Sequence, residues 1–361
     1  TFQYYSNFMR NHPVMDKNMR DDTQISRLLK YNIKEEDINL FLRAWNQMNN
    51  TKECVYVGYD STNFNTNAYG IELADYGHPK VDEGLPQYNL AYAVNQKDST
   101  PLFYELYDGS VIDNTELEIM LEEAKEFGHE KLGVLMDRGY ISEKNIKALR
   151  TKGYEYILMM KQNQRICQEI IEEYGAAVQS LEGYYIGEHG VYGTTVKKQL
   201  YGQETNIHVY YDDIRASEEK VALMSRYEMW EKEIEKKVAK RIATEGEMKK
   251  YRKVFKLKYD QNGYLVAYQR NSRYIKEEIR NLGFFFIITS EEMSTSKALD
   301  IYRGRDNIEK MFRSLKSGID FNKARVHTTE SLKSKVFVTF IAMIVSCLLY
   351  TSPSPRDYAA S

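Results

Sequence analysis

The chain has 361 residues, enough for more than one folding unit and a sizeable core. Its formal net charge of −2 excludes a uniformly basic nucleic-acid binder. Cys54, Cys167 and Cys347 are scattered, with neither Cys-x-x-Cys spacing nor a histidine partner, which argues against a disulfide scaffold or structural zinc and for a reducing, cytoplasmic setting without a signal peptide.

In chain order, residues 22–50 carry apolar positions at helical spacing and predict one or two amphipathic helices. They read either as a lead-in packed on the next domain or as part of a DNA-reading module. ECVYVGY (53–59), QYNLAYAVN (87–95) and PLFYELYD (101–108) predict a three-stranded meander. A helix at about 114–127 and the buried strand LGVLM (132–136) follow. Ser142 can cap a second helix ending near Gly153, and YEYILMM (154–160) predicts a further strand. This β-β-β-α-β-α-β order describes a ribonuclease H-like fold, a mixed sheet flanked by helices. In it the first and fourth strands are neighbours, so Asp60 and Asp137 would meet although 77 positions apart (137 − 60).

Residues 165–280 interrupt the pattern with short strand-like pieces around one charged helix at about 217–241, and predict a mostly β insertion domain. GFFFIITS (283–290) returns as a buried strand, and a Ser/Thr cluster at 294–296 opens the next helix. The run VFVTFIAMIVS (336–346) falls short of the roughly 20 residues a bilayer span needs and predicts a buried helix. The expected class is therefore α/β (mixed α+β), with 51–164 and 281–346 as two parts of one core.

The most informative stretch is YRGRDNIEKMFRSLK (302–316). Read as one helix, it gathers Tyr302, Arg305, Glu309 and Lys316 within an arc of roughly 60°. Ile301, Ile308, Phe312, Leu315 and Ile319 form a neighbouring apolar stripe for the core. A carboxylate suits a metal; two cations and a phenol suit phosphates. Between Lys297 and Lys335 ten Lys/Arg face five Asp/Glu, a local excess of +5 in an otherwise balanced chain.

Tyr302-x2-Arg305-x3-Glu309-x6-Lys316 resembles the Y-x2-R-x3-E-x6-K signature of DDE transposases of bacterial insertion sequences. Two aspartates at strand ends should precede it. Asp60-Ser61-Thr62 follows the first strand, and Asp137-Arg138-Gly139-Tyr140 follows LGVLM, similar to the family's second-aspartate motif. The resemblance extends over roughly residues 53–346 and is nearest to the subgroup with a long insertion before the glutamate. It makes residues 1–50 a short, truncated helical remnant of an end-recognition region. The segment CLLYTSPSPRD (347–357) resembles a translated transposon-end adapter, which sets 347–361 apart as an artefact.

Three carboxylates in one cleft repel each other unless a cation holds them ionised, and oxygen-only ligands favour Mg²⁺ or Mn²⁺. The expectation is two ions about 3.5–4 Å apart, with Asp60 bridging both and Asp137 and Glu309 each completing one site. The resemblance implies that Tyr302, Arg305 and Lys316 contact DNA phosphates, while Arg138 holds DNA or orients a carboxylate. It further implies transposon ends and target DNA as partners and a homodimer in a synaptic complex; the short apolar run 336–346 sets the expectation of no membrane. Two rival readings remain at this stage: a ribonuclease H-like nuclease without strand transfer, and a non-catalytic DNA-binding protein.

Overall fold

The computed structural model describes residues 5–12, 21–50, 54–77, 84–111, 113–129, 131–136, 141–180, 184–240, 246–306, 310 and 325–351. The chain opens with helices α1 (Tyr5–Asn11), α2 (Asp22–Arg27), which continues as a π-turn over Leu28–Asn32, and α3 (Glu35–Asn49). Asp21 caps α2 by accepting the Gln24 N–H at 2.7 Å. Helix α3 buries Ile38, Leu42 and Asn46. Its Trp45 indole N–H donates to the Pro101 carbonyl at 2.7 Å, and Asn46 Oδ1 lies 2.7 Å from the His129 ring. The amphipathic lead-in is therefore packed on the edge of the following sheet.

That sheet begins with the antiparallel meander β1 (Val55–Asn65), β2 (Gln87–Asn95) and β3 (Pro101–Asp108). Helix α4 (Asp113–Glu126) leads to β4 (Leu132–Met136), which runs parallel to β1 on its free edge. Helix α5 (Glu143–Lys152) leads to β5 (Glu155–Met159), parallel to β4. Both ends of α5 follow from sequence chemistry. The Ser142 hydroxyl accepts the Asn145 N–H, and Gly153 takes the left-handed conformation (φ 74°) that closes the helix. Every residue of β4 is buried, as an unbroken apolar run in a central parallel strand requires. The resulting order β3-β2-β1-β4-β5 is that of the ribonuclease H-like fold.

Next come α6 (Arg165–Ser180), β6 (Tyr185–Ile186), β7 (Val191–Leu200), β8 (Gln203–Tyr211), α7 (Asp213–Lys240), β9 (Phe255–Tyr259), β10 (Leu265–Arg270), α8 (Ser272–Arg280) and β11 (Phe284–Thr289). Strand β11 inserts antiparallel between β5 and β8, and the sheet continues β5-β11-β8-β7-β6. Among the described residues it has nine strands. Residues 165–280 thus have two destinations. β6–β8 extend the main sheet, whereas α7, β9, β10 and α8 close around a small core of their own that includes Leu223, Tyr227, Ile234, Tyr251, Phe255 and Ile275.

The described part of the remaining chain holds helices α9 (Thr295–Arg303) and α10 (Thr329–Thr351). Ser294 caps α9 by accepting the Lys297 N–H at 3.2 Å. The helix expected at about 329–346 is longer than its apolar run, and Thr329–Leu349 is long and apolar enough, by length and composition, to cross a membrane. It is built into the core instead: Leu332, Val336 and Phe340 are fully buried, and the Phe340 ring lies 6.2 Å from Tyr92 and 5.1 Å from Tyr104. Its start is tied to the segment after β1. The Thr329 N–H donates to the Gly70 carbonyl, and Thr329 Oγ1 accepts the Glu72 N–H at 2.9 Å. Gly70 must be glycine for this approach, because a Cβ there would come within 2.4 Å of the His327 carbonyl oxygen.

Candidate active site

The pairing of β1 with β4 fixes the geometry of the site. Val55, Tyr56, Val57 and Gly58 pair with Leu132, Gly133, Val134 and Leu135, a constant offset of 77 positions (132 − 55). Asp60 lies two residues beyond the last of these pairs, inside β1, where its backbone pairs with Tyr92 of β2. The first strand was expected to end at Tyr59. It runs on to Asn65 because β2 continues to pair with it as far as Gln87, and Ser61, Thr62, Asn63 and Phe64 are buried there. Asp60 is therefore a mid-strand residue. Asp137 and Arg138, which follow β4, lie outside the described residues, as do Glu309 and Lys316.

One side chain reaches across three strands of this register. Tyr56, Gly133 and Glu155 occupy one row across β1, β4 and β5. Gly133 carries no side chain, so the Tyr56 ring crosses over it; a Cβ at Gly133 would fall 2.4 Å from Tyr56 Cδ1. The Tyr56 hydroxyl then donates to Glu155 Oε2 at 2.6 Å. Burial, reinforced by the bond to Glu155, pushes the Tyr56 hydroxyl well above the usual phenol range, so it stays a donor. A one-residue slip would break this row and turn each strand's inward residues outward.

Tyr302 and Arg305 are brought together, though not on one continuous helix. Helix α9 stops at Arg303, Gly304 and Arg305 form a turn, and helical conformation resumes at Asp306. Gly304 is seated against Gln96, where a Cβ would lie 2.1 Å from the Gln96 amide nitrogen. Gln96 in turn donates its backbone N–H to the Tyr56 carbonyl at 2.8 Å. The end of α9 is thus docked beside the strand that carries Asp60. The uniform helical arc expected over Tyr302–Lys316 is interrupted at Gly304 and Arg305, where the chain makes a turn.

Tyr302 is buried beside Leu135, Ile157, Ile287 and Leu299, and its hydroxyl accepts from Arg305 Nη1 at 3.2 Å.

One cluster was not visible in the sequence. Glu188 and His189, in the β6–β7 turn, meet Asp300 of α9, with ligand-type atoms all within 4.8 Å of one another. His189 Nε2 lies 2.7 Å from Asp300 Oδ1, and Arg303 donates to His189 Nδ1 at 2.9 Å. The guanidinium already occupies the other ring nitrogen, so the group reads as a chain of polar contacts latching the turn to α9. More than a hundred positions separate its members, and no spacing rule could have linked them.

The sequence matches the family model of the transposase DDE domain over residues 57–345. The chain belongs to that family. No curated protein matches the sequence. Among solved structures, a piggyBac transposase synaptic complex with hairpin DNA is similar at 10% identity and a TM-score of 0.35, covering 95% of this chain and 64% of that one. A Mos1 transposase paired-end complex with left transposon end is similar at 16% identity and a TM-score of 0.21, covering 43% and 49%. A pre-cleavage Mos1 transpososome gives 14% identity, a TM-score of 0.21, and 42% and 49%. The chain thus spans 64% of the first of these proteins and about half of the others. Likeness at this level bears on no individual residue of the transposase site.

Proposed function

We propose that the protein is a DNA transposase that cleaves at transposon ends and joins the exposed 3′ hydroxyls to target DNA. Membership of the DDE family supports this reading, and one observation carries it to residues. The β1–β4 offset of 77 equals the separation of Asp60 and Asp137, so the register, carried two residues further, would set these carboxylates side by side. With Glu309 they make an all-oxygen donor set that fits Mg²⁺ or Mn²⁺. Two such ions, when bound, would supply an activated nucleophile and charge stabilisation for in-line displacement at phosphorus. In the first displacement water forms a P–O bond and a 3′ hydroxyl leaves. In the second that hydroxyl forms the new P–O bond while one in the target breaks.

Arg305, aimed by Tyr302, and Arg138 and Lys316 would hold the phosphates of the transposon end, consistent with the Y-x2-R-x3-E-x6-K subgroup. Residues 165–280 would be the insertion between the second aspartate and the glutamate, and a dimer bridging paired ends would be the working assembly. The test is Mn²⁺-dependent joining of a precut end taken from the element's own flanks, run beside Glu309→Ala. Joining that vanishes in the variant supports the assignment. Cleavage without joining points to a nuclease, and DNA binding with neither activity to a non-catalytic binder.

A further inference from the structure

The small unit formed by α7, β9, β10 and α8 separates its charges by face. Residues 249–258, KKYRKVFKLK, contain six cations and no acid. The acids of α7 that meet this segment and its partner strand are engaged between the elements. Glu231 accepts from Arg270 Nε at 3.1 Å, Glu233 pairs with Lys250 at 3.2 Å and accepts the Tyr251 hydroxyl, and Glu235 accepts the Tyr268 hydroxyl at 2.9 Å. The opposite face of the hairpin is different. Lys256 and Lys258 alternate along β9 and are exposed, facing Gln269 and Ala267 across the β9–β10 register. Lys249 and Lys253, on the segment just before β9, are also exposed. Among the described residues none of these four lysines has an ion-pair partner.

We infer that the outer face of the β9–β10 hairpin is a docking surface for the phosphate backbone of duplex DNA, contacted without regard to base sequence. This rests on the DNA-acting role proposed above and adds a second contact region to it. Two unopposed lysines on the ribbon, with two more on the segment that leads into it, complement a polyanion, and each phosphate neutralised releases counterions. At its paired positions, Lys256, Lys258, Ala267 and Gln269, the face offers no aromatic of the kind that stacks single-stranded bases. Gln269, paired with Lys256, can donate to a phosphate oxygen at the same place.

The test is the salt dependence of binding to a random-sequence duplex, for the whole chain and for Lys253→Gln/Lys256→Gln/Lys258→Gln. Because these side chains are exposed and unpaired, the variant should melt like the parent. Its slope of log K against log[KCl] should be shallower by about one for each lysine on a phosphate. The corresponding triple Lys→Arg variant should keep the parental slope. An unchanged slope in the Gln variant, or a slope lost equally in the Arg variant, overturns the surface while leaving the transposase reading intact. Lysine-dependent binding to phosphatidylserine vesicles with DNA binding unaltered also overturns it. A parent protein that binds no random-sequence duplex but joins its own precut end overturns the surface alone; one that does neither removes the DNA-acting role as well.

Discussion

The main sheet and the small α7–β9–β10–α8 unit solve opposite problems with similar residue types. In the sheet, polar side chains are placed to hold register: Tyr56 reaches across Gly133 to Glu155, and His208 of β8 lies between Thr195 and Thr289, 2.7 and 3.1 Å from their hydroxyls. In the small unit, tyrosines and glutamates bind the hairpin to its helix and the lysines are left facing solvent. The first arrangement fixes where two strands stand to within one residue; the second leaves a surface for something else to use. A carboxylate site for metal needs the former, and backbone contacts on DNA tolerate the latter.

The largest test of this division is Phe255→Ala. Phe255 is fully buried in the small core, and its truncation should cost about 3–5 kcal/mol. Amide exchange should accelerate across 213–280 while β1, β4 and β5 keep their protection. Loss of protection in both places would show that the two regions fold as one. Acid should act on the other side of the comparison. Burial lowers the His208 pKa to about 4 from 6.5, so the folded sheet resists taking up a proton that the unfolded chain accepts. Its contribution is fully present above pH 6.5 and is lost as pH falls through about 4, on the order of 3 kcal/mol in all. His208→Gln should flatten that part of a urea-denaturation pH profile.

Gly133→Ala sharpens the contrast further. The added Cβ overlaps the Tyr56 ring and should cost about 1–3 kcal/mol. Strand transfer should fall with it, and the salt slope of DNA binding should stay at the parental value. Tyr56→Phe is the mildest change. It removes the donor to Glu155 and should cost about 1 kcal/mol by thermal melting, with a smaller loss of joining than Gly133→Ala.

Much of this architecture could be read from the sequence because local chemistry agrees with the fold. Alternating or unbroken apolar runs gave β1 to β5 their order, and Ser142, Gly153 and Ser294 mark helix ends by their capping geometry. What escaped the sequence depends on contacts between distant residues. Nothing in GFFFIITS says that it enters between YEYILMM and NIHVYYD, so β7 and β8 read as pieces of an insertion although they extend the sheet. The helix break at Gly304 is one such feature, and Gln96, some two hundred positions earlier, fills the space a side chain at 304 would need. The resemblance assigns Tyr302 to DNA phosphates, and nothing in the sequence signals its burial in the sheet-side core or its hydrogen bond with Arg305.

The placement of β11 sets a timing problem during synthesis. Its partner β5 ends at Met159, and β11 begins at Phe284, 125 positions later (284 − 159). At ~5–20 residues per second the ribosome takes about 6–25 s to deliver the missing neighbour. For that interval the hydrogen-bonding edge of β5 that β11 will occupy stands open, the kind of edge on which nascent chains pair wrongly. A holdase that shields an extended apolar edge would therefore be expected to engage this chain after β5 emerges and to leave once β11 has docked.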